Sequence, residues 1–139
     1  MTLAKYKLIL LVLILTLNLS AINAQEKEPA QDMMVRIAEV EIYPEYLKEY
    51  KDFLREEAAA SVKKEAGVIA IFPMSDPKNI YQLRIVEIYA NRKAYESHLK
   101  TSHFQYYKTS TLKMVKSLKL VDMEALDKQT MMQIFKKMN

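Results

Sequence analysis

From Met33 onward the apolar positions fall into blocks whose spacing switches between two and about 3.6 residues, the periods of strand and helix. Residues 33–42 (MMVRIAEVEI) are rich in β-branched side chains, partly alternate and stop at Tyr43-Pro44, which predicts a strand. Pro44 disfavours helix before it and is tolerated at a helix start, so a long helix is expected over 45–66. Leu47, Tyr50, Leu54, Ala58, Ser61 and Val62 share one face of it, with Phe53 at the margin. Gly67, the only glycine, is expected to end that helix in a left-handed conformation. Residues 68–72 (VIAIF) read as a short apolar strand, 75–79 as a turn, and 80–89 as a third strand. In that strand Tyr81, Leu83, Ile85, Glu87 and Tyr89 alternate with Gln82, Arg84, Val86 and Ile88, so Glu87 and Tyr89 share a side.

Asn91 suits an N-cap, and the helix after it, to about Thr101, carries Ala94, Tyr95, His98 and Leu99 as one stripe. Ser102 and Gln105 have capping-box spacing, which suggests a restart continued by Phe104, Tyr107, Thr111 and Val115. Residues 117–123 (SLKLVDM) read as a fourth strand. The order strand, helix, strand, strand, helix, strand is the α+β, ferredoxin-like βαββαβ pattern: an antiparallel sheet with helices on one face. The domain spans 33–125; the tail, 126–139, suits either a strand arm or a short helix.

Two helices cover one side of four strands, and the other side of such a sheet is ordinarily polar. Here each strand offers apolar residues both ways: Val68, Ala70 and Phe72 against Ile69 and Ile71, and Leu83 and Ile85 against Val86 and Ile88. Covering several hundred Å² of such surface is worth many kcal/mol at about 25 cal/mol per Å². A homodimer packed through its sheet faces meets that need, with the tail as an arm across the partner; the alternative is the tail folded over its own sheet.

Ahead of the domain, Lys5 and Lys7 precede an apolar run from Leu8 to about Leu19, then small residues at Ala21 and Ala24. This is the pattern of a secretory signal peptide over 1–24, cleaved after Ala24 or alternatively Ala21, followed by a disordered leader over 25–32. The run is short for a membrane span of about 20 residues. The chain is therefore expected to be exported, periplasmic or secreted, with no membrane attachment after cleavage. Cleavage lowers the formal charge from +4 to +2, not a nucleic-acid-binding balance. Without cysteine, stability must come from packing or assembly, and thiolate chemistry is excluded. One glycine in 139 residues also argues against nucleotide-phosphate loops.

If the stripe of the second helix packs on the third strand, His98 is aimed at the face carrying Glu87 and Tyr89. A carboxyl so placed has a raised pKa or a charged partner, which His98 supplies, or else Arg84 or Arg36. Two histidines five apart, His98 and His103, lack the spacing of a zinc pair on one helical face, and no third ligand is evident, so no metal is expected. His103 reads as a helix-boundary or surface residue. Of the aromatic residues most suit the core and some a pocket for a flat ligand; Tyr89, Phe72, Phe53, Arg84 and His103 are the candidate ligand contacts.

The stretches VRIAEVEIYPEYLKEYKDFL, KKEAGVIAIF, VEIYANRKAYESHL and HLKTSHF together resemble the antibiotic biosynthesis monooxygenase superfamily, dimeric α+β barrels that include quinol monooxygenases. The acidic-x-Gly corner falls on Glu65-Ala66-Gly67 and the Glu-x-aromatic step on Glu87-Ile88-Tyr89, with tyrosine where the family has tryptophan. The remaining motif positions fall on Ala94, His98 and Thr101-Ser102-His103-Phe104. The resemblance implies a pocket between sheet and helices and oxidation of quinol-like aromatics by O₂ with no cofactor. By carry-over His98 and Glu87 handle protons and Tyr89 stacks on the ring. The haem-degrading branch is not matched: the first strand has no Asn, and Lys108 stands near its haem-ligand position. The alternatives are a non-catalytic binder of a small hydrophobic ligand and an isomerase of a small carbonyl compound.

Overall fold

The fold follows from how far each apolar pattern runs before a cap or proline stops it. The computed structural model describes residues 33–127, 130, 133, 134 and 137. The expected signal segment and leader lie outside them, as does much of the tail. Strand β1 (Met34–Ile42) leads through a short 3-10 turn begun by Pro44 into helix α1 (Leu47–Lys64). Strands β2 (Val68–Ser75) and β3 (Gln82–Tyr89) follow as an antiparallel pair. Helix α2 (Arg92–His98) and helix α3 (Ser102–Thr111) come next, and β4 (Val115–Met123) closes the sheet. The strand order is β2-β3-β1-β4 with every neighbouring pair antiparallel, the ferredoxin-like α+β arrangement. Among the described residues no helix is long and apolar enough to cross a membrane.

Three local features differ from expectation. Gly67 has no positive φ. The chain leaves α1 at Glu65 in extended conformation (φ −107°, ψ 105°), so no left-handed residue is needed. Gly67 is instead a point of close approach: a Cβ there would lie 2.5 Å from the Ala94 Cβ of α2. The second correction concerns the helix restart. Thr101, not Ser102, is the N-cap of α3, its hydroxyl accepting from Phe104 N at 3.4 Å, while Gln105 reaches back to donate to Leu99 O. Asn91 does cap α2, accepting from Ala94 N at 2.8 Å. Third, a register shift between Val68 and Ala70 separates residues that simple alternation puts on one face. Val68 stands opposite Tyr89, whereas Phe72 stands opposite Val86.

The pairing register lays side chains in rows across the sheet. On the helix side one row reads Ile71, Glu87, Arg36, Asp122, and the next Pro73, Ile85, Ala38, Leu120. The core gathers here, where Ala38, Val40, Ile42, Leu83 and Ile85 meet Tyr50 and Leu54 of α1. The helices stop short of β4: Leu118 and Leu120, opposite Val40 and Ala38, are 58% and 48% exposed. On the other side two rows are apolar, Phe72-Val86-Ile37-Val121 and Ala70-Ile88-Val35-Met123. The adjoining row is charged, with Arg84 and Glu39 paired at 3.4 Å.

Candidate active site

Between the sheet and the helices lies a cavity of about 480 Å³, within the usual range for small-molecule sites. β1 and β3 supply its floor, including Arg36 and Glu87; α1 supplies Tyr50 and Glu57; α2 and α3 supply His98, Phe104 and Tyr107. Its open side is the uncovered stretch of β4 with Leu118 and Leu120. The sequence-predicted trio of His98, Glu87 and Tyr89 does converge on this one cavity. Its pairing differs from expectation. The Tyr89 hydroxyl donates to Glu87 Oε2 at 3.0 Å, while His98 turns to α1 for its partners.

His98 is 2% exposed, its ring held between Phe104 (centroids 4.6 Å apart) and Tyr89 (5.5 Å). Its Nδ1 lies 3.0 Å from Glu65 Oε1, and its Nε2 lies 3.6 Å from Glu57 Oε1, beyond hydrogen-bond length. The same Glu65 oxygen is 2.6 Å from His103 Nε2, so one carboxylate bridges both histidines of the chain. His103 is thus a half-buried bridge partner rather than a surface residue, and it faces a smaller cleft between α1 and α3 together with Phe53. Neither His103 nor Phe53 lines the main cavity. Arg84 and Phe72 lie on the opposite face of the sheet, Arg84 paired with Glu39 and Phe72 57% exposed, so neither is brought to the site. Arg84 is an odd number of residues from Glu87 on the same strand, and Phe72 pairs with Val86 beyond the register shift in β2. Arg36 stands opposite Glu87 in the register, but its guanidinium is engaged by Asp122 at 2.6 Å and stacks over Tyr95.

The electrostatics divide the carboxyl groups. Burial pushes Glu57 and Glu87 above the ordinary glutamate range, against hydrogen bonds from Ser61 and Tyr89 and the attraction of His98. Burial also acts to raise Glu65, but the hydrogen bonds from His98 and His103 outweigh it and hold Glu65 below that range. Tyr89 is pushed well up by burial and by the Glu87 charge, and burial raises Tyr50 to about 12, so both phenols stay protonated as donors. The Tyr50 hydroxyl hydrogen-bonds that of Tyr107 at 2.5 Å.

The raised pKa of Glu57 and Glu87 makes a stability prediction. Their protonated forms favour the fold fully below the unfolded value of 4.5, and that contribution is lost as pH rises through each elevated folded pKa. Glu57→Gln and Glu87→Gln should therefore flatten the decline of Tm as pH rises above 4.5, measured by thermal unfolding at each pH. Variants that decline as steeply as the parent would contradict the assignment.

Two side chains of the candidate site were not singled out from sequence. Glu57 lies on the α1 stripe, seven residues after Tyr50 and three after Leu54, where a lone carboxyl among apolar positions is itself a signal. Glu65 was visible only as part of the acidic-x-Gly corner. With His98 and His103 it makes a set whose polar atoms lie within 4.8 Å of one another, joined directly through one Glu65 oxygen by contacts of hydrogen-bond length, 3.0 and 2.6 Å.

Comparison with known proteins agrees with the geometry. No curated protein matches the chain significantly. A structure from Bacteroides thetaiotaomicron, provisionally named an antibiotic biosynthesis monooxygenase, is 40% identical with a TM-score of 0.69, over 70% of this chain and 93% of that one. One from Lactobacillus acidophilus, provisionally named a monooxygenase, is 26% identical with a TM-score of 0.64, over 66% of this chain and 43% of that one. One from Nitrosomonas europaea, also provisionally named an antibiotic biosynthesis monooxygenase, shares the fold at 19% identity and a TM-score of 0.65, over 68% of this chain and 90% of that one. The family model for antibiotic biosynthesis monooxygenases matches residues 33–109, more than half of the sequence, and the chain belongs to that family.

Proposed function

We propose that the protein is a cofactor-independent monooxygenase acting on a small quinol-like aromatic, as a homodimer joined through its sheets. The observation that carries this is buried His98 lining a cavity walled by tyrosines and Phe104, with the carboxyls of Glu57 and Glu87 in the same lining and no hydrogen bond from Nε2 to Glu57. The family supplies the monooxygenase class.

In this reading Nε2 of His98 takes a phenolic proton, and the resulting phenolate gives an electron to O₂. Recombination forms a ring carbon–oxygen bond. Loss of the ring hydrogen as a proton and cleavage of O–O then leave a hydroxyquinone and water, the His98 proton going to that water. Hydroquinone plus O₂ thus balances as hydroxyquinone plus H₂O. Glu87, held by Tyr89, faces the second ring oxygen. The Tyr89 ring lies in the wall against which the substrate ring packs.

The test is oxygen consumption with a panel of reduced benzoquinols and naphthoquinols, followed by mass analysis under ¹⁸O₂. The proposal expects one labelled oxygen in the product and the other in water. Uptake no faster than spontaneous oxidation of any member would overturn it; ligand binding without product would then favour a binding protein, and rearrangement of a carbonyl compound an isomerase. Export belongs to the same reading, supported by the basic start and apolar run of residues 1–24. A cell-derived protein beginning at Gln25 supports it, and one retaining Met1 contradicts it.

A further inference from the structure

We propose that Glu65 is a positioning residue that fixes the tautomer of His98, and that His103 is the clamp that holds Glu65 in place. The inference rests on the base role assigned to His98 above, but its structural half stands apart from any activity.

A carboxylate can only accept hydrogen bonds. One oxygen of Glu65, Oε1, lies 3.0 Å from Nδ1 of His98 and 2.6 Å from Nε2 of His103, which is the arrangement of two N–H donors on one acceptor. Its lowered pKa keeps it ionised. Nδ1 of His98 therefore carries the hydrogen, and in the neutral ring Nε2 must carry the lone pair. Among the described residues no hydrogen bond occupies Nε2; the acidic oxygen of Glu57, Oε1, is 3.6 Å away and itself accepts from Ser61 at 2.7 Å. The basic nitrogen is thus turned toward the cavity, and when it gains a proton the charge of Glu65 offsets the imidazolium. The logic is that of a carboxylate behind a catalytic histidine.

The second contact of Glu65 is its distinguishing feature. Glu65 sits just beyond the last turn of α1, where its side chain would otherwise swing into water. His103, in the first turn of α3, supplies the shorter of its two histidine bonds and so ties the end of α1 to α3. Other titratable groups face His98 too, Glu57 from α1 and Glu87 and Tyr89 from β3, and Arg36 of β1 lines the same cavity beside Glu87. None of them makes a hydrogen bond to Nδ1.

Imidazole ¹⁵N–¹H correlation spectra of the full chain at neutral pH are the first test. His98 should show a protonated Nδ1 and a pyridine-like Nε2. In Glu65→Leu, which has no acceptor, that preference should give way to a mixture of tautomers, and in His103→Gln the pattern should persist with faster exchange of the Nδ1 proton. With a turned-over quinol, Glu65→Gln should lower kcat about 10²- to 10³-fold with KM within about threefold and shift the acidic limb of the pH–kcat profile. His103→Gln should lose about 3- to 10-fold. Thermal unfolding separates these effects from loss of fold. A wild-type His98 protonated at Nε2, a folded Glu65→Leu with the wild-type tautomer, or a folded Glu65→Gln with the wild-type kcat would overturn the proposal. If no quinol is oxidised, the reading of function fails, while the spectra still decide the tautomer.

Discussion

Replacing His98 by alanine should lower kcat for quinol oxidation by about 10²- to 10⁴-fold while KM changes only a few-fold. The size follows from removing the one imidazole that faces the cavity; Glu57 and Glu87, the other proton acceptors there, are hydrogen-bonded to Ser61 and Tyr89. Structural cost must be separated from chemistry, because His98 is buried between Phe104 and Tyr89 and its loss leaves Glu65 with one partner fewer. Truncation of such a side chain is expected to cost about 2–4 kcal/mol of stability. Added imidazole distinguishes the two. It can enter the space left by the side chain and act as a base, so it should restore part of the turnover of His98→Ala without raising its Tm to the parent value. A variant with wild-type kcat would remove His98 from the mechanism.

Val86→Asp should convert the proposed dimer to a monomer, raising the dissociation constant by more than about 10³-fold, read by sedimentation across a concentration series. Val86 occupies the middle of the apolar row between Phe72 and Ile37, with Ile88 and Val35 in the next row. In the proposed dimer a carboxylate there is buried without a partner, a cost of several kcal/mol. In the isolated subunit Val86 is only half-buried and Phe72 beside it is exposed, so the fold itself should survive, with helix content unchanged by circular dichroism. The charged neighbouring row gives a control: Arg84→Ala breaks only a part-exposed pair with Glu39 and should leave assembly within a few-fold. Equal sedimentation of Val86→Asp and the parent would remove the sheet face from the interface.

The fold was legible because its evidence is periodic. Two-residue alternation in β1 and β3, the stripe on α1 and the cap at Asn91 are each local, and together they order the elements uniquely. The sites of failure are those where one residue changes the register. The irregularity between Val68 and Ala70 turns Phe72 away from the helices, and no composition signal marks it. The break at Leu99 to Thr101 places the cap one residue earlier than the Ser102–Gln105 spacing indicates. Gly67 was read for backbone freedom, whereas the demand on it comes from Ala94, far along the chain. The convergence of His98, Glu87 and Tyr89 could be reasoned from two periodicities. The Glu65 bridge could not, because it joins the end of α1 to residues 33 and 38 positions later through side chains alone.

The most direct measurement is a crystal structure with a quinol analogue that cannot be oxidised, such as a monophenol, bound at saturating concentration. The account predicts its ring against Tyr89 and Phe104 and its hydroxyl about 3 Å from Nε2 of His98. A phenol whose oxygen points instead to the uncovered edge at Leu118 and Leu120, with Nε2 left untouched, would contradict it.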